Sequence, residues 1–204
     1  MKIKKIDRKK FIDFLVQLPS LIFSSVSVTL AATVILARLM PHPLLILSSV
    51  FFYVLTPIFT YLYLSKKGLI TDKKNDFNIR KREERPLYNL ILLFAFLTNY
   101  ILISMYNIPV VEEIALFLLV SFFIFSIITL FWKISGHMTQ TVLAILIVAY
   151  VFVDIRIYTL LIGYLIFIPL VGFSRIRLKH HNIWQVIAGT LVTTLVGILI
   201  YTTV

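Results

Sequence analysis

Ser174-Arg175-Ile176-Arg177-Leu178-Lys179-His180-His181-Asn182-Ile183-Trp184-Gln185 sets three cations and two histidines between two strongly apolar runs, 157–173 before it and 183–201 after it. Polar groups at this density are costly beside hydrocarbon unless they face water or line a site. If the flanking runs cross a membrane, this stretch lies at its edge. His181 and Gln185 are four apart, so on a helix they share a face, and the Gln185 carbonyl can reach a ring nitrogen of His181. Arg175 offers a planar fork suited to phosphate oxygens. A histidine held by a neighbour beside an arginine is a candidate nucleophile for phosphoryl transfer. The plainer alternative for this stretch alone is a basic loop at a membrane edge.

The rest of the chain supports the membrane reading. Of 204 residues, 60% are hydrophobic and the mean hydropathy is +0.97, too apolar for a soluble domain of this length. The expected fold class is all-α, a polytopic transmembrane bundle of about seven spans. Spans are expected at 21–39, 44–64, 87–106, 114–132, 138–153, 157–173 and 183–201, the fifth and sixth being short. Pro57 is expected to kink the second span without ending it, and 107–113 to form a short acidic turn. Apolar runs this long, without frequent turn signals, do not fit a membrane barrel. Residues 1–20 read as a basic N-terminus with an interfacial segment, uncleaved, and 21–204 as one membrane domain.

The formal net charge of +11 does not point to nucleic acid, because the cations sit in short segments between apolar runs. Membrane lipids and topology account for them better. Threading seven spans puts the N-terminus and segments 65–86, 133–137 and 174–181 on one side, with 18 of the 20 lysines and arginines; Arg38 and Arg156 fall on the other. By the positive-inside rule the crowded side is cytoplasmic, and a plasma (inner) membrane location is expected. There are no cysteines, which excludes disulfides and thiolate metal sites.

Three of these polar segments, taken together, resemble the signature of the type 2 phosphatidic acid phosphatase superfamily. They are Arg82-Glu83-Glu84-Arg85-Pro86, then Ser135-Gly136-His137, then Ser174-Arg175 followed after five residues by His181. The run Trp132-Lys133-Ile134-Ser135 is similar to divergent bacterial members. The resemblance implies a membrane phosphatase acting on a lipid phosphate or isoprenoid diphosphate through a phosphohistidine, without a metal or other cofactor. His181 would attack phosphorus, Gln185 would orient it, and His137 would protonate the leaving oxygen. Arg82, Arg85, Lys133, Ser135, Gly136 and Arg175 would hold the phosphate. The chemistry is coherent without the family name, since fixed cations and amides stabilise the charge that spreads over phosphoryl oxygens.

The departures from the family pattern are specific. Asn78 stands where a lysine is usual, Ile134 where a proline is usual, and Gln185 where an aspartate usually orients the nucleophile. An amide fixes an imidazole tautomer but stabilises imidazolium less than a carboxylate does. The competing readings are a catalytically silent member that binds headgroups or acts structurally, and a small transporter. The spans hold few ionisable residues of the kind transport sites need. His180, Arg177, Lys179 and His42 read as surface or interfacial groups, and Ala188-Gly189 as a close helix contact.

Overall fold

The computed structural model describes residues 16–19, 21–22, 24–40, 42–71, 79 and 81–203. Asn78 and the basic N-terminal segment 1–15 lie outside the described residues. Those described form an all-helical chain without strands.

From Ser25 onward, seven apolar helical segments follow one another among the described residues. They are α1 (Ser25–Leu39), α2 (Pro43–Lys66), α3 (Arg85–Ser104, led in by a 3-10 turn at Arg82–Glu84), α4 (Pro109–Phe131), α5 (Gly136–Val151), α6 (Val153–Arg177) and α7 (Ile183–Thr203). Five of them, α2, α3 with its lead-in turn, α4, α6 and α7, are long and apolar enough to cross a membrane. At 1.5 Å per residue, the 23 residues of α4 extend about 35 Å, enough for the hydrocarbon core. The helices α1 and α5 are shorter apolar helices, of 15 and 16 residues.

Sequence signals account for the ends. Ser24 caps α1 by accepting from the Ser27 amide at 3.3 Å. Prolines open α2, α3 and α4 in the first turn, where a missing N–H costs nothing. Pro109 begins α4 earlier than expected. Glu112 therefore lies in its first turn, complementing the helix dipole, where the sequence had suggested a turn over 107–113. Inside α2, Pro57 cannot give the usual amide hydrogen bond. The helix takes a π-helical stretch over Val50–Leu55 just before it, with the Thr56 amide reaching back to Phe51, and runs on to Lys66.

The sixth apolar run is longer than the sequence reading gave. The helix α6 is 25 residues and continues past Phe173 to Arg177, interrupted by a π-helical stretch at Gly163–Phe167. Ser174 and Arg175 are thus in its last helical turns and buried.

The core lies between α3, α4, α5 and α7, with Phe96, Ile114, Phe117, Leu118, Leu143 and Val196 packed together. Leu36 of α1 joins the same cluster. The helix α6 packs against α5 and α7 and leaves large apolar side chains such as Leu165 and Ile157 outward, as a lipid-facing helix does.

Candidate active site

Hydrogen bonds between distant segments bring three connections to one end of the bundle. The Arg82 guanidinium donates to the Phe131 carbonyl at the end of α4. Arg85 is buried and donates from Nε to the Ile79 carbonyl at 2.9 Å and from Nη1 to the Ile134 carbonyl at 3.4 Å. Lys133 Nζ donates to the His180 carbonyl at 3.3 Å, and the Ser135 amide to the Gln185 carbonyl at 3.1 Å. The segments before α3, α5 and α7 are therefore cross-tied, although some fifty residues separate each from the next.

How α6 ends determines where His181 points. The last turn closes with the Lys179 amide on the Ile176 carbonyl (2.9 Å) and the His180 amide on the Arg175 carbonyl (3.1 Å). Lys179 sits at φ +56°, in the left-handed region usually given to glycine. This pairing is a Schellman turn. It reverses the chain so that the His181 amide also reaches the Arg175 carbonyl, at 3.3 Å.

Asn182 then caps α7. Its Oδ1 accepts from the Gln185 amide at 2.9 Å, while Gln185 Oε1 accepts from the Asn182 amide at 3.3 Å, a reciprocal capping box. The same Oε1 lies 3.0 Å from His181 Nδ1. A backbone N–H can only donate, so the Gln185 atom facing Asn182 is its oxygen. His181 Nδ1 must then carry the proton, which leaves the Nε2 lone pair available. Burial, with the charges of Arg175 and Lys133, pushes the His181 pKa down to about 3, so the ring is neutral at ordinary pH.

Ser135 precedes α5 as its N-cap and is fully buried, and its hydroxyl has no hydrogen-bond partner among the described residues. Gly136 and His137 open the helix, where backbone amides point at whatever lies before it. Gly189 makes this junction possible: a Cβ there would lie 2.7 Å from the Ser135 carbonyl oxygen, so only glycine lets α7 approach so closely.

His137, His181, Arg85 and Gly136 all line one cavity of about 110 Å³. His137 also lies within Coulombic reach of Arg175, His180 and His181. Arg175 is buried in the last turns of α6 and does not line the cavity. Arg82 is placed elsewhere: it is exposed and spent on the end of α4. Lys133 is half-buried and bridges to the His180 carbonyl without lining the cavity. His42 is exposed, with its ring 5.2 Å from Tyr106, at the end of α3 away from Arg85.

Residues that the sequence reading passed over complete the wall. Asn89, one turn beyond Arg85, and Gln140, one turn beyond His137, both line the cavity. Their spacing from a candidate residue was the available signal. Asn182 carries a signal too, since Asn-x-x-Gln before an apolar run is a capping signature.

Comparison with protein families gives a direct match. Residues 120–204 fit the model of the PAP2 superfamily. The match supports membership of the type 2 phosphatidic acid phosphatase superfamily. The matched residues hold Lys133, Ser135, Gly136, His137, Arg175, His181 and Gln185; Arg82 and Arg85 precede them. No curated protein and no solved structure matches the chain. Members of the superfamily are generally phosphatases, and with its apolar helices this member is an integral membrane protein.

Proposed function

We propose that the protein is a membrane lipid phosphatase that hydrolyses a lipid phosphate or isoprenoid diphosphate through a phosphohistidine at His181. The observation carrying this reading is that His137 and His181 share one cavity with Arg85, while Gln185 holds His181 with Nε2 as the free lone pair.

The steps balance with these residues alone. Nε2 of His181 forms a bond to phosphorus as the phosphorus–oxygen bond to the lipid breaks. His137, protonated once the anionic phosphate is bound beside it, gives its proton to the departing oxygen. The neutral His137 then takes a proton from water, whose oxygen attacks phosphorus and frees His181 Nε2. Phosphate leaves, and the proton is back on His137. Arg85 and Arg175 supply positive charge for the equatorial oxygens, with the Ser135 hydroxyl and the Gly136 amide as further donors. Lys133 adds to the same positive potential from outside the cavity wall. No metal takes part in this scheme.

The short helices α1 and α5 complete seven crossings in this reading, α5 meeting the hydrocarbon between the site and the far end. The crowding of basic residues supports a cytoplasmic N-terminus and catalytic face in a plasma membrane protein.

Release of phosphate by the purified protein from phosphatidic acid and from a polyprenyl diphosphate tests the proposal. His181→Ala is expected to reduce the rate by roughly 10³-fold or more, and an acid-labile phosphoprotein should be trapped in the parent chain alone. Turnover that survives the substitution would falsify the nucleophile assignment. The neutral Gln185 favours a second reading, a silent member that binds headgroups. Binding of phosphatidic acid vesicles without release of phosphate from any lipid would support that one.

A further inference from the structure

Resting on the phosphatase reading, we propose that Asn89 and Gln140 hold the water molecule that hydrolyses the phosphohistidine. Neither residue belongs to the three segments that carry the family resemblance.

Asn89 stands one turn beyond Arg85 on α3, and Gln140 one turn beyond His137 on α5. Each therefore shares a helix face with a residue of the proposed site, and all four line the same cavity. Further from Arg85 along α3, Leu92 and Phe96 offer a water molecule nothing to bond, and neither do Leu118 and Phe122 on α4. Thr139 also lines the cavity, but its hydroxyl already donates to the Ser135 carbonyl at 3.4 Å.

The two amides, by contrast, are unpartnered. Asn89 is 5% exposed, and its side chain has no hydrogen-bond partner among the described residues. Of the Gln140 amide, Oε1 is buried without a partner among them, which leaves the NH2 group for the cavity. Buried amides are costly to leave unpaired, and a cavity with unpaired polar groups in its wall is where buried water collects. A volume of about 110 Å³ admits several water molecules.

A water molecule has two hydrogens and two lone pairs, and attack on phosphorus uses one lone pair. The wall provides for the rest: one hydrogen to neutral His137, the other to Asn89 Oδ1, and the second lone pair to the Gln140 NH2. In the step, one proton passes to His137 and the water oxygen bonds phosphorus. The phosphorus–nitrogen bond breaks, and its electron pair returns to His181 Nε2. Amide side chains orient attacking water in other phosphoryl-transfer enzymes. The two half-reactions depend on the amides unequally. The leaving oxygen is held by its own bond to phosphorus until it departs, whereas water arrives untethered and relies on the wall.

The test gives the full chain in detergent phosphate-labelled phosphatidic acid, polyprenyl diphosphate and p-nitrophenyl phosphate. It measures the phosphoprotein present at steady state and the rate of phosphate release. Release equals the hydrolysis rate constant times the phosphoprotein, so their ratio reports hydrolysis alone, whatever share of the protein is folded. In Asn89→Leu and Gln140→Met, each close in size to the residue replaced, phosphoprotein per unit of release is expected to rise about tenfold. A residue whose replacement leaves the ratio unmoved is struck from the water site, as expected of an amide that only packs or that holds the lipid. If both leave it unmoved, or both abolish label and release together, the proposal is overturned while the phosphatase reading stands on the parent chain. Release from the parent chain without phosphoprotein, or no release from any of the three substrates, would overturn both.

Discussion

The two ends of the bundle are held together differently. At the Arg85 end, the ties run between distant segments: Arg82 to Phe131, Arg85 to Ile134, Lys133 to His180 and Ser135 to Gln185. At the opposite end the polar contacts are mostly local. Arg156 Nε donates to the Ala149 carbonyl seven residues away, at 3.0 Å, and the Tyr100 hydroxyl meets Glu112 across one short turn, at 3.5 Å. Local bonds close turns, whereas long-range bonds fix the mutual position of helices. A site assembled from three helix starts needs the second kind, because catalytic groups a fraction of an ångström out of place lose much of their effect.

Substitutions at the two ends should separate these roles. The largest effect is expected from Arg85→Lys, which keeps a charge but loses the fork that spans two carbonyls and faces the cavity. Its kcat/KM should fall by about 10²-fold. Arg156→Ala at the far end should leave kcat/KM within about twofold of the parent chain, since it acts only through local turn closure. Equal losses from the two would erase the distinction between the ends.

Next comes Gly189→Ala. The added methyl meets a backbone carbonyl, which cannot swing aside as a side-chain tip can. A destabilisation of about 1–3 kcal/mol is expected, seen as a lower midpoint of thermal unfolding in detergent. Gly197→Ala is the control, because its closest neighbour is the flexible end of Leu146. A milder loss is expected there, and an equal one would mean that the closeness of α7 to Ser135 has no special weight.

A subtler change is Gln185→Glu. His181 has its pKa near 3, so it is neutral at any pH well above that, and its protonation does not limit the rate in the ordinary range. A carboxylate at 185 favours the protonated ring and raises that pKa. The variant should therefore lose rate as pH falls through the raised value, while the parent chain keeps its rate to lower pH. A pH–rate profile measures this directly, and superimposable acid limbs would count against Gln185 as the partner of the nucleophile.

The smallest expected effect is Lys179→Gly. A non-glycine residue in the left-handed region costs about 1–2 kcal/mol, and glycine returns part of that gain through its looser unfolded chain. A net stabilisation of up to about 1 kcal/mol should appear in thermal unfolding. A loss of stability would mean that the Lys179 side chain contributes more than the turn does.

Much of the fold was legible because hydropathy reports directly on long apolar helices, and charge crowding pointed to the end that holds the candidate site. Helix continuity was less legible. Pro57 reads as a kink, yet a π-helical stretch absorbs it, and Ser174-Arg175 reads as loop chemistry although α6 carries both. Of the site, the histidines and Arg85 stood out as polar groups beside apolar runs. Arg82 stood out equally, but its guanidinium is engaged by a helix end, a distinction only three-dimensional proximity can make. Leu92, Phe96, Leu118 and Phe122 carried no signal at all. A residue lining a cavity and one packed in a core obey the same preference for apolar surroundings.

The shared oxygen of Gln185 couples two properties that usually vary separately. One atom both begins the final helix and holds the proposed nucleophile's ring, so a replacement chosen to alter reactivity also alters how that helix starts. Efforts to tune the rate at this position will therefore register in thermal unfolding as well, and a compensating change is to be sought first at Asn182.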